Sequence, residues 1–176
     1  MSEARVLISL EELELHRVVV SETYASGALD YHGAEFKQLG PIKVSAAAEL
    51  TGQEIHIQGH IGGRLWTECD RCLTKVEMPV ERDFDLYYRP LKAIAREEEV
   101  EVPADELNVG FFSDSGIALE EVVAEQVILS VPMKVVCRVD CRGLCPVCGA
   151  DRNRVNCGCA TRQSGAESPF SSLLEP

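Results

Sequence analysis

Ile42-Lys43-Val44-Ser45-Ala46-Ala47-Ala48-Glu49-Leu50-Thr51-Gly52-Gln53-Glu54-Ile55-His56-Ile57 decides the fold class of this chain. Ile42, Val44, Ala46, Ala48 and Leu50 alternate with Lys43, Ser45, Ala47 and Glu49, a period of two that marks a strand with one buried face. Thr51-Gly52-Gln53 is a turn. Beyond it Ile55, Ile57, Ile61 and Leu65 share one face, while Glu54, His56, Gln58, His60 and Arg64 take the other. Gly59 and Gly63 lie among the apolar positions, where glycines predict bulges or sharp curvature. Thr67-Glu68-Cys69-Asp70-Arg71-Cys72-Leu73 breaks the alternation, and Val76, Met78, Val80, Phe84, Leu86 and Tyr88 resume it. The pattern predicts a long antiparallel hairpin with a Cys-x-x-Cys at its tip. Curved strands of this kind predict an α+β protein built on a curved antiparallel sheet or small β-barrel.

Upstream, Arg5 to Leu10 reads as a short strand, and Glu11 to Leu15 either extends it or turns once. Arg17 to Thr23 carries Val18, Val19 and Val20 and reads as a further strand. Ala25 to Gly40 reads as loop with irregular pairing. Downstream, Arg96 to Glu106 is an acidic, solvated loop. Ser115 to Val131 predicts a helix, centred near 117–130, with Leu119, Val122, Val123 and Val127 as its apolar stripe and Pro132 as its stop. The expected organisation is a β-rich body over 1–133, a cysteine-rich module over 134–160, and a linker with a short terminal helix over 161–176. Ser168-Pro169-Phe170 would open that last helix.

The chain has 176 residues, of which 45% are hydrophobic, so a sizeable core can be buried. Its formal net charge is -12, with a pI near 4.8. Such a chain is repelled by phosphate backbones and does not coat nucleic acid non-specifically. No apolar run reaches the roughly 18 residues of a membrane span. The first residues carry acids where a signal peptide has its apolar core, so the expected compartment is the cytoplasm, with no membrane partner. In that reducing setting 8 cysteines mean metal or redox chemistry more often than disulfides.

Six of those cysteines fall in Cys137-Arg-Val-Asp-Cys141-Arg-Gly-Leu-Cys145-Pro-Val-Cys148-Gly-Ala-Asp-Arg-Asn-Arg-Val-Asn-Cys157-Gly-Cys159. Zinc takes four tetrahedral ligands and accepts thiolates readily. A Cys-x-x-Cys turn brings two sulfurs to one ion while backbone N–H groups point at them. Cys145 and Cys148 form such a turn, and Gly158 lets Cys157 and Cys159 converge. These four make one all-thiolate site. Cys69, Cys72, Cys137 and Cys141 would make a second, pinning the hairpin tip to the segment after the helix. Alternatively, Cys141 replaces a ligand of the first site and Cys137 is free. Either way the metal, one or two Zn2+ ions, is a structural staple. A catalytic zinc keeps an open position and a nearby base, and no His-Glu-x-x-His or His-x-Glu occurs.

A thiol redox protein or sensor is the first rival reading, but a thioredoxin-like pair opens a helix, whereas strand follows Cys72. A zinc-ribbon transcription factor is the second, and the acidity of the chain argues against it. His56 and His60 do not make a ligand pair, because residues four apart on a strand are about 13 Å apart; both read as polar-face histidines. Trp66 and Tyr88 read as packing residues. Between 134 and 162 six basic residues face two acids, so the module is locally basic within an acidic chain.

Three blocks resemble the YceD family, the bacterial large ribosomal RNA subunit accumulation proteins. They are Glu68-Cys69-Asp70-Arg71-Cys72-Leu73, Glu125-Gln126-Val127-Ile128-Leu129-Ser130-Val131-Pro132-Met133, and Cys141-Arg-Gly143-Leu144-Cys145-Pro146-Val147-Cys148-Gly149 continuing through Asn153 to Cys157-Gly-Cys159. The closing Pro169-Phe170 and Leu173 resemble the family's terminal motif, and the first sixty residues agree in general pattern only. The resemblance implies a cytoplasmic, non-enzymatic factor needed for accumulation of 23S ribosomal RNA, with no small-molecule substrate. Its partners would be precursor rRNA, a ribosomal protein, or both. The cysteine block is not universal in that family, which implies that its metal holds a fold and does not perform the shared activity.

Overall fold

The computed structural model describes residues 6–91, 109–113 and 115–159. The elements, in order, are β1 (Leu7–Ile8), α1 (Leu10–Leu15), β2 (Val18–Tyr24), β3 (Lys37–Gln38), β4 (Ile42–Thr51), β5 (Glu54–Glu68), β6 (Lys75–Pro90), β7 (Val109–Phe112), β8 (Ile117–Ala118) and α2 (Leu119–Ser130). The acidic stretch from 96 to 106 and the terminal helix expected near 168–174 lie outside the described residues. No helix among the described residues is long and apolar enough to cross a membrane.

The described residues divide into two compact units. The first takes in 6–66 and the described part of 77–133. The second takes in 67–76 and 134–159, so the hairpin tip is grouped with the cysteine segment.

The first unit is a sheet in the order β2-β4-β5-β6-β7, with β3 paired to β5. Its ends, β2 and β7, do not pair, so the sheet is open and the β-barrel alternative falls away. Closure is one way to bury an apolar sheet face, and a covering helix is another. Here α2 supplies the cover: Leu119, Val122, Val123 and Val127 join the same core cluster as Ile42, Ile55, Ile57, Ile61 and Leu65. The last four of these sheet residues and Leu119 are fully buried. Each such side chain contributes on the order of 1.5–3 kcal/mol. Pairing is antiparallel between β2 and β4 and between β4 and β5, but β6 and β7 run parallel.

Two sequence expectations change. Gly59 does not mark a bulge against β4, because β4 and β5 pair without interruption from Lys43↔Gly62 to Thr51↔Glu54. Gly59 and Gly63 are small because the core is tight. A Cβ on Gly59 would run into the Phe84 ring and the Ser45 carbonyl, and one on Gly63 into the Ile42 side chain. The helix expected from 115 also starts later. Ile117 and Ala118 form β8, paired with β1 through Leu7↔Ala118 and Ile8↔Ile117, and α2 begins at Leu119. The N–H of Leu119 is satisfied by Val6 O at 2.9 Å, so a strand pairing feeds the helix start. Conversely, the 11–15 stretch is helical, with Ser9 accepting from Glu12 N as its N-cap.

The hairpin of β5 and β6 exposes a ladder of charge pairs on its outer face. His56 Nε2 meets Asp85 at 2.5 Å, His60 meets Asp83 at 2.7 Å and Glu81 at 2.9 Å, and Arg64 meets Glu77 at 3.0 Å. Along the ladder one residue number rises as its partner's falls, which is the signature of antiparallel pairing. The two histidines thus sit on the polar face, each with its own acids. Hydrogen bonds that the His60 ring donates to Asp83 and Glu81 raise its pKa above the ordinary value.

Candidate metal centres

Both Cys-x-x-Cys segments fold into the same turn. In the first, Cys69 N donates to Thr74 O at 2.9 Å and Leu73 N donates to Cys69 O at 2.9 Å. In the second, Cys145 N donates to Ala150 O and Gly149 N donates to Cys145 O, both at 2.8 Å. The residue after the second cysteine takes a left-handed backbone in each: Leu73 at φ 59 and Gly149 at φ 70. Pairing of β5 with β6 anchors the first turn, and a Leu144↔Asp151 bridge anchors the second.

The first turn is stitched to the segment that follows α2. Asp70 N donates to Val135 O at 2.9 Å, and Val135 N donates back to Asp70 Oδ2 at 2.6 Å. Leu144 N donates to Arg71 O at 2.8 Å, and Arg71 Nη1 donates to Cys141 O at 2.9 Å. The two residues between Cys69 and Cys72 therefore do the positioning. This brings the sulfurs of Cys69, Cys72, Cys137 and Cys141 within 4.8 Å of one another, and a second group of Cys145, Cys148, Cys157 and Cys159 is as close. Cys141 stands with the hairpin tip, not with the second group. Cys69 and Cys141 are 3.9 Å apart and Cys72 and Cys137 are 3.6 Å apart. A disulfide needs about 2.05 Å, so these are separate thiols. Four sulfurs each about 2.3 Å from a tetrahedral zinc have edges of about 3.8 Å. The donor set fits such an ion: either four-cysteine group could hold one metal, with every ligand supplied by the chain.

Electrostatics favour the same occupant. Burial alone would push the Cys69 thiol up, but the N–H groups of Arg71, Cys137 and Cys72 outweigh it and bring it down to about 6. The N–H groups of Cys148 and Val147 hold Cys145 down at about 6 against its burial. Cys159 is pushed the other way, to about 12, first by the thiols of Cys148 and Cys157. Four adjacent sulfurs cannot all ionise unless a cation joins them.

The spacing of the cysteines left one residue unnoticed. Asn153 lies between Cys148 and Cys157, yet its Nδ2 donates to Cys141 Sγ of the other group at 3.5 Å. Its Oδ1 accepts from Arg142 N at 2.8 Å and from Arg138 at 2.9 Å. It thereby ties the turn between Cys148 and Cys157 to a sulfur of the first group. Its place in the block that resembles the YceD family and in the Asp151-Arg-Asn153 turn was the available signal. Beside the second group an open cleft of about 270 Å³ is lined by Arg142, Arg152, Pro146, Val147 and Val155.

Residues 57–175 match the family Large ribosomal RNA subunit accumulation protein YceD. Among similar proteins, an uncharacterized protein of Mycobacterium leprae is 31% identical over 110 residues, covering 62% of this chain and 48% of its own. One from Mycobacterium tuberculosis is 32% identical over 102 residues, covering 57% and 46%. The uncharacterized protein YlbN of Bacillus subtilis is 20% identical over 146 residues, covering 82% of this chain and 80% of its own. The chain thus spans about half the length of the mycobacterial relatives it matches. No solved structure matches it. With more than half of its length inside the family match, cysteine groups included, the chain belongs to the YceD family of large ribosomal RNA subunit accumulation proteins.

Proposed function

We propose that this chain is a cytoplasmic, non-enzymatic factor of large ribosomal subunit biogenesis that binds a basic ribosomal protein, precursor rRNA, or both. The family match over 57–175 carries this reading, since membership suggests a role in ribosomal RNA accumulation. The formal charge of -12 favours the protein partner, because a basic chain is attracted where a phosphate backbone is repelled. Any RNA contact would fall to the arginines of the cysteine unit, where Arg142 and Arg152 border a cleft and form no ion pair among the described residues.

In this reading Cys69, Cys72, Cys137 and Cys141 hold one structural Zn2+, and Cys145, Cys148, Cys157 and Cys159 hold another. A bound zinc supplies charge neutralisation and cross-linking only, because four sulfurs leave no position for water or substrate. A redox role would need a reactive, accessible thiolate. Cys69, one of the two thiols lowered to about 6, is completely buried.

The test mixes the zinc-loaded chain with purified large-subunit proteins and with precursor large-subunit rRNA, at low and at physiological salt. Saturable binding to at least one, with depletion in cells lowering large-subunit rRNA relative to small-subunit rRNA, is the expected result. No binding to either at low salt would sink the proposal.

A further inference from the structure

A cleft of about 500 Å³ opens between the end of β2, the loop that follows it and the first turn of α2, far in sequence from the cysteines. Two buried polar atoms there have no hydrogen-bond partner among the described residues: the Tyr24 hydroxyl and Glu120 Oε2. Tyr24 is only 8% exposed. Among the described residues the other charged side chains of the lining are the acids Glu22, Asp30 and Glu121, with Thr23 and His32 as further polar groups and no lysine or arginine.

A first-turn glutamate has an ordinary explanation, since a helix N-terminus favours negative charge. Glu120 also accepts from Val6 N through Oε1, at 2.7 Å. Neither role uses Oε2, and neither concerns Tyr24. A buried hydroxyl and a buried carboxylate oxygen left unpaired are costly and uncommon in folded proteins. Burial first, and then the charges of Glu120 and Glu22, keep the Tyr24 hydroxyl protonated far above neutral pH. The cleft therefore holds a neutral hydroxyl oxygen and a carboxylate oxygen, both buried and both unpaired among the described residues. A guanidinium or an ammonium presents several N–H donors, so one such group can serve more than one acceptor.

We propose that this cleft binds a cationic side chain, an arginine or lysine, from a basic polypeptide partner. The cationic chemistry follows from Tyr24, Glu120 and their acidic surround; the polypeptide source rests on the function proposed above.

The test titrates acetyl-Gly-Arg-Gly-amide, with the alanine peptide as blank, into the full zinc-loaded chain at low salt, followed by amide and tyrosine-ring NMR shifts. Glu120→Gln keeps an acceptor for Val6 N but removes the charge. Tyr24→Phe removes the hydroxyl, and Glu49→Gln removes an equal charge from the outer face of β4. Saturable shifts at Tyr24 and the start of α2 are expected in the parent chain. Glu120→Gln should weaken them by about tenfold and Tyr24→Phe by roughly threefold, with Glu49→Gln within about twofold. Tyr24→Phe should also raise the melting temperature of the unliganded chain, because it deletes an unpaired hydroxyl. No saturable shift, or equal weakening by Glu120→Gln and Glu49→Gln, overturns the site, and a lowered melting temperature in Tyr24→Phe overturns the part played by its hydroxyl. Basic large-subunit proteins are titrated in parallel. If they bind and Glu120→Gln leaves that binding unchanged, the cleft is refuted while the role in biogenesis stands. If the peptide binds and no ribosomal protein does, the cleft stands and its polypeptide source is refuted.

Discussion

Replacing Leu73 by glycine should stabilise the hairpin tip, against the usual direction for losing a leucine. Leu73 holds φ 59, where the Cβ of an L-residue crowds its own carbonyl at a cost of roughly 1–2 kcal/mol. Glycine removes that cost and adds about 0.5–1 kcal/mol of chain entropy to the unfolded state. The side chain gives back little, since Leu73 is 57% exposed and stands outside the buried cluster of Cys69, Cys72 and Cys141. The net gain should be about 0.5–1 kcal/mol. The equivalent position in the other turn tests the same reasoning in reverse. Gly149 holds φ 70, and a Cβ there would meet nothing within 4 Å, so Gly149→Ala isolates the backbone effect. It should lose about 1 kcal/mol. Thermal unfolding of the zinc-loaded chain reads both, and chelator competition should show a change of about fivefold in zinc affinity for each. If Leu73→Gly lowers the melting temperature or loosens zinc, the leucine side chain holds something that backbone geometry does not reveal, and the equivalence of the two turns is wrong.

Other substitutions probe the stitching. In Gly143→Ala the new Cβ would come 2.8 Å from the Arg71 carbonyl oxygen, so the Leu144 N–H to Arg71 O bond should break; zinc analysis should show loss at the first group and weakened retention at the second. Asn153→Ala should cost about 1–3 kcal/mol and weaken the first group although the residue lies within the second, read by chelator competition. Arg82→Ala strips Arg82 Nε from Gln126 Oε1, which is 3.1 Å away on a 2% exposed residue, and should cost about 1–3 kcal/mol in thermal melts, with Gln126→Leu in the same chain recovering most of it. The His60 pKa is raised above its ordinary 6.5 in the fold, so its contribution is complete below that value and is lost as pH rises through the raised one. The melting-temperature gap between the parent chain and His60→Gln should therefore shrink from pH 5.5 to pH 8.5, on the order of the range of a histidine titration, and a constant gap would contradict the assignment.

What the sequence made legible was whatever one element decides alone. Period-two alternation identified β4, β5 and β6 because each buries one face, and it chose the right face: Ile55, Ile57, Ile61 and Leu65 are all fully buried. The glycines in β5 read as marks of bulges or curvature, yet their smallness also answers to other strands. Nothing local distinguishes a glycine that bends a strand from one that admits Phe84 or Ile42. The start of α2 was misplaced for the same reason. Ile117 and Ala118 run straight into the apolar stripe that begins at Leu119, and only the distant Leu7 and Ile8 draw them into a strand. The open sheet was likewise undecidable from strands alone, since barrel or sheet depends on whether β2 meets β7.

The cysteine groups were legible by type and spacing, yet their division was not. Spacing states which sulfurs can share an ion locally, and it left Cys141 with two possible homes. The choice is made by polar residues that ligand counting ignores. Asp70 pairs twice with Val135, Arg71 holds Cys141 O and receives Leu144 N, and together they carry the post-helix segment onto the hairpin tip. Asn153 then reaches from the second turn to Cys141 Sγ. A metal bound at one group should therefore order residues that position the other. Loading the two groups should be cooperative, with chelator titration releasing both zincs over one narrow range in the parent chain and over two separated ranges in Asn153→Ala. Two ranges in the parent chain would show that the shared amide transmits nothing, and each group would then fold as an independent staple.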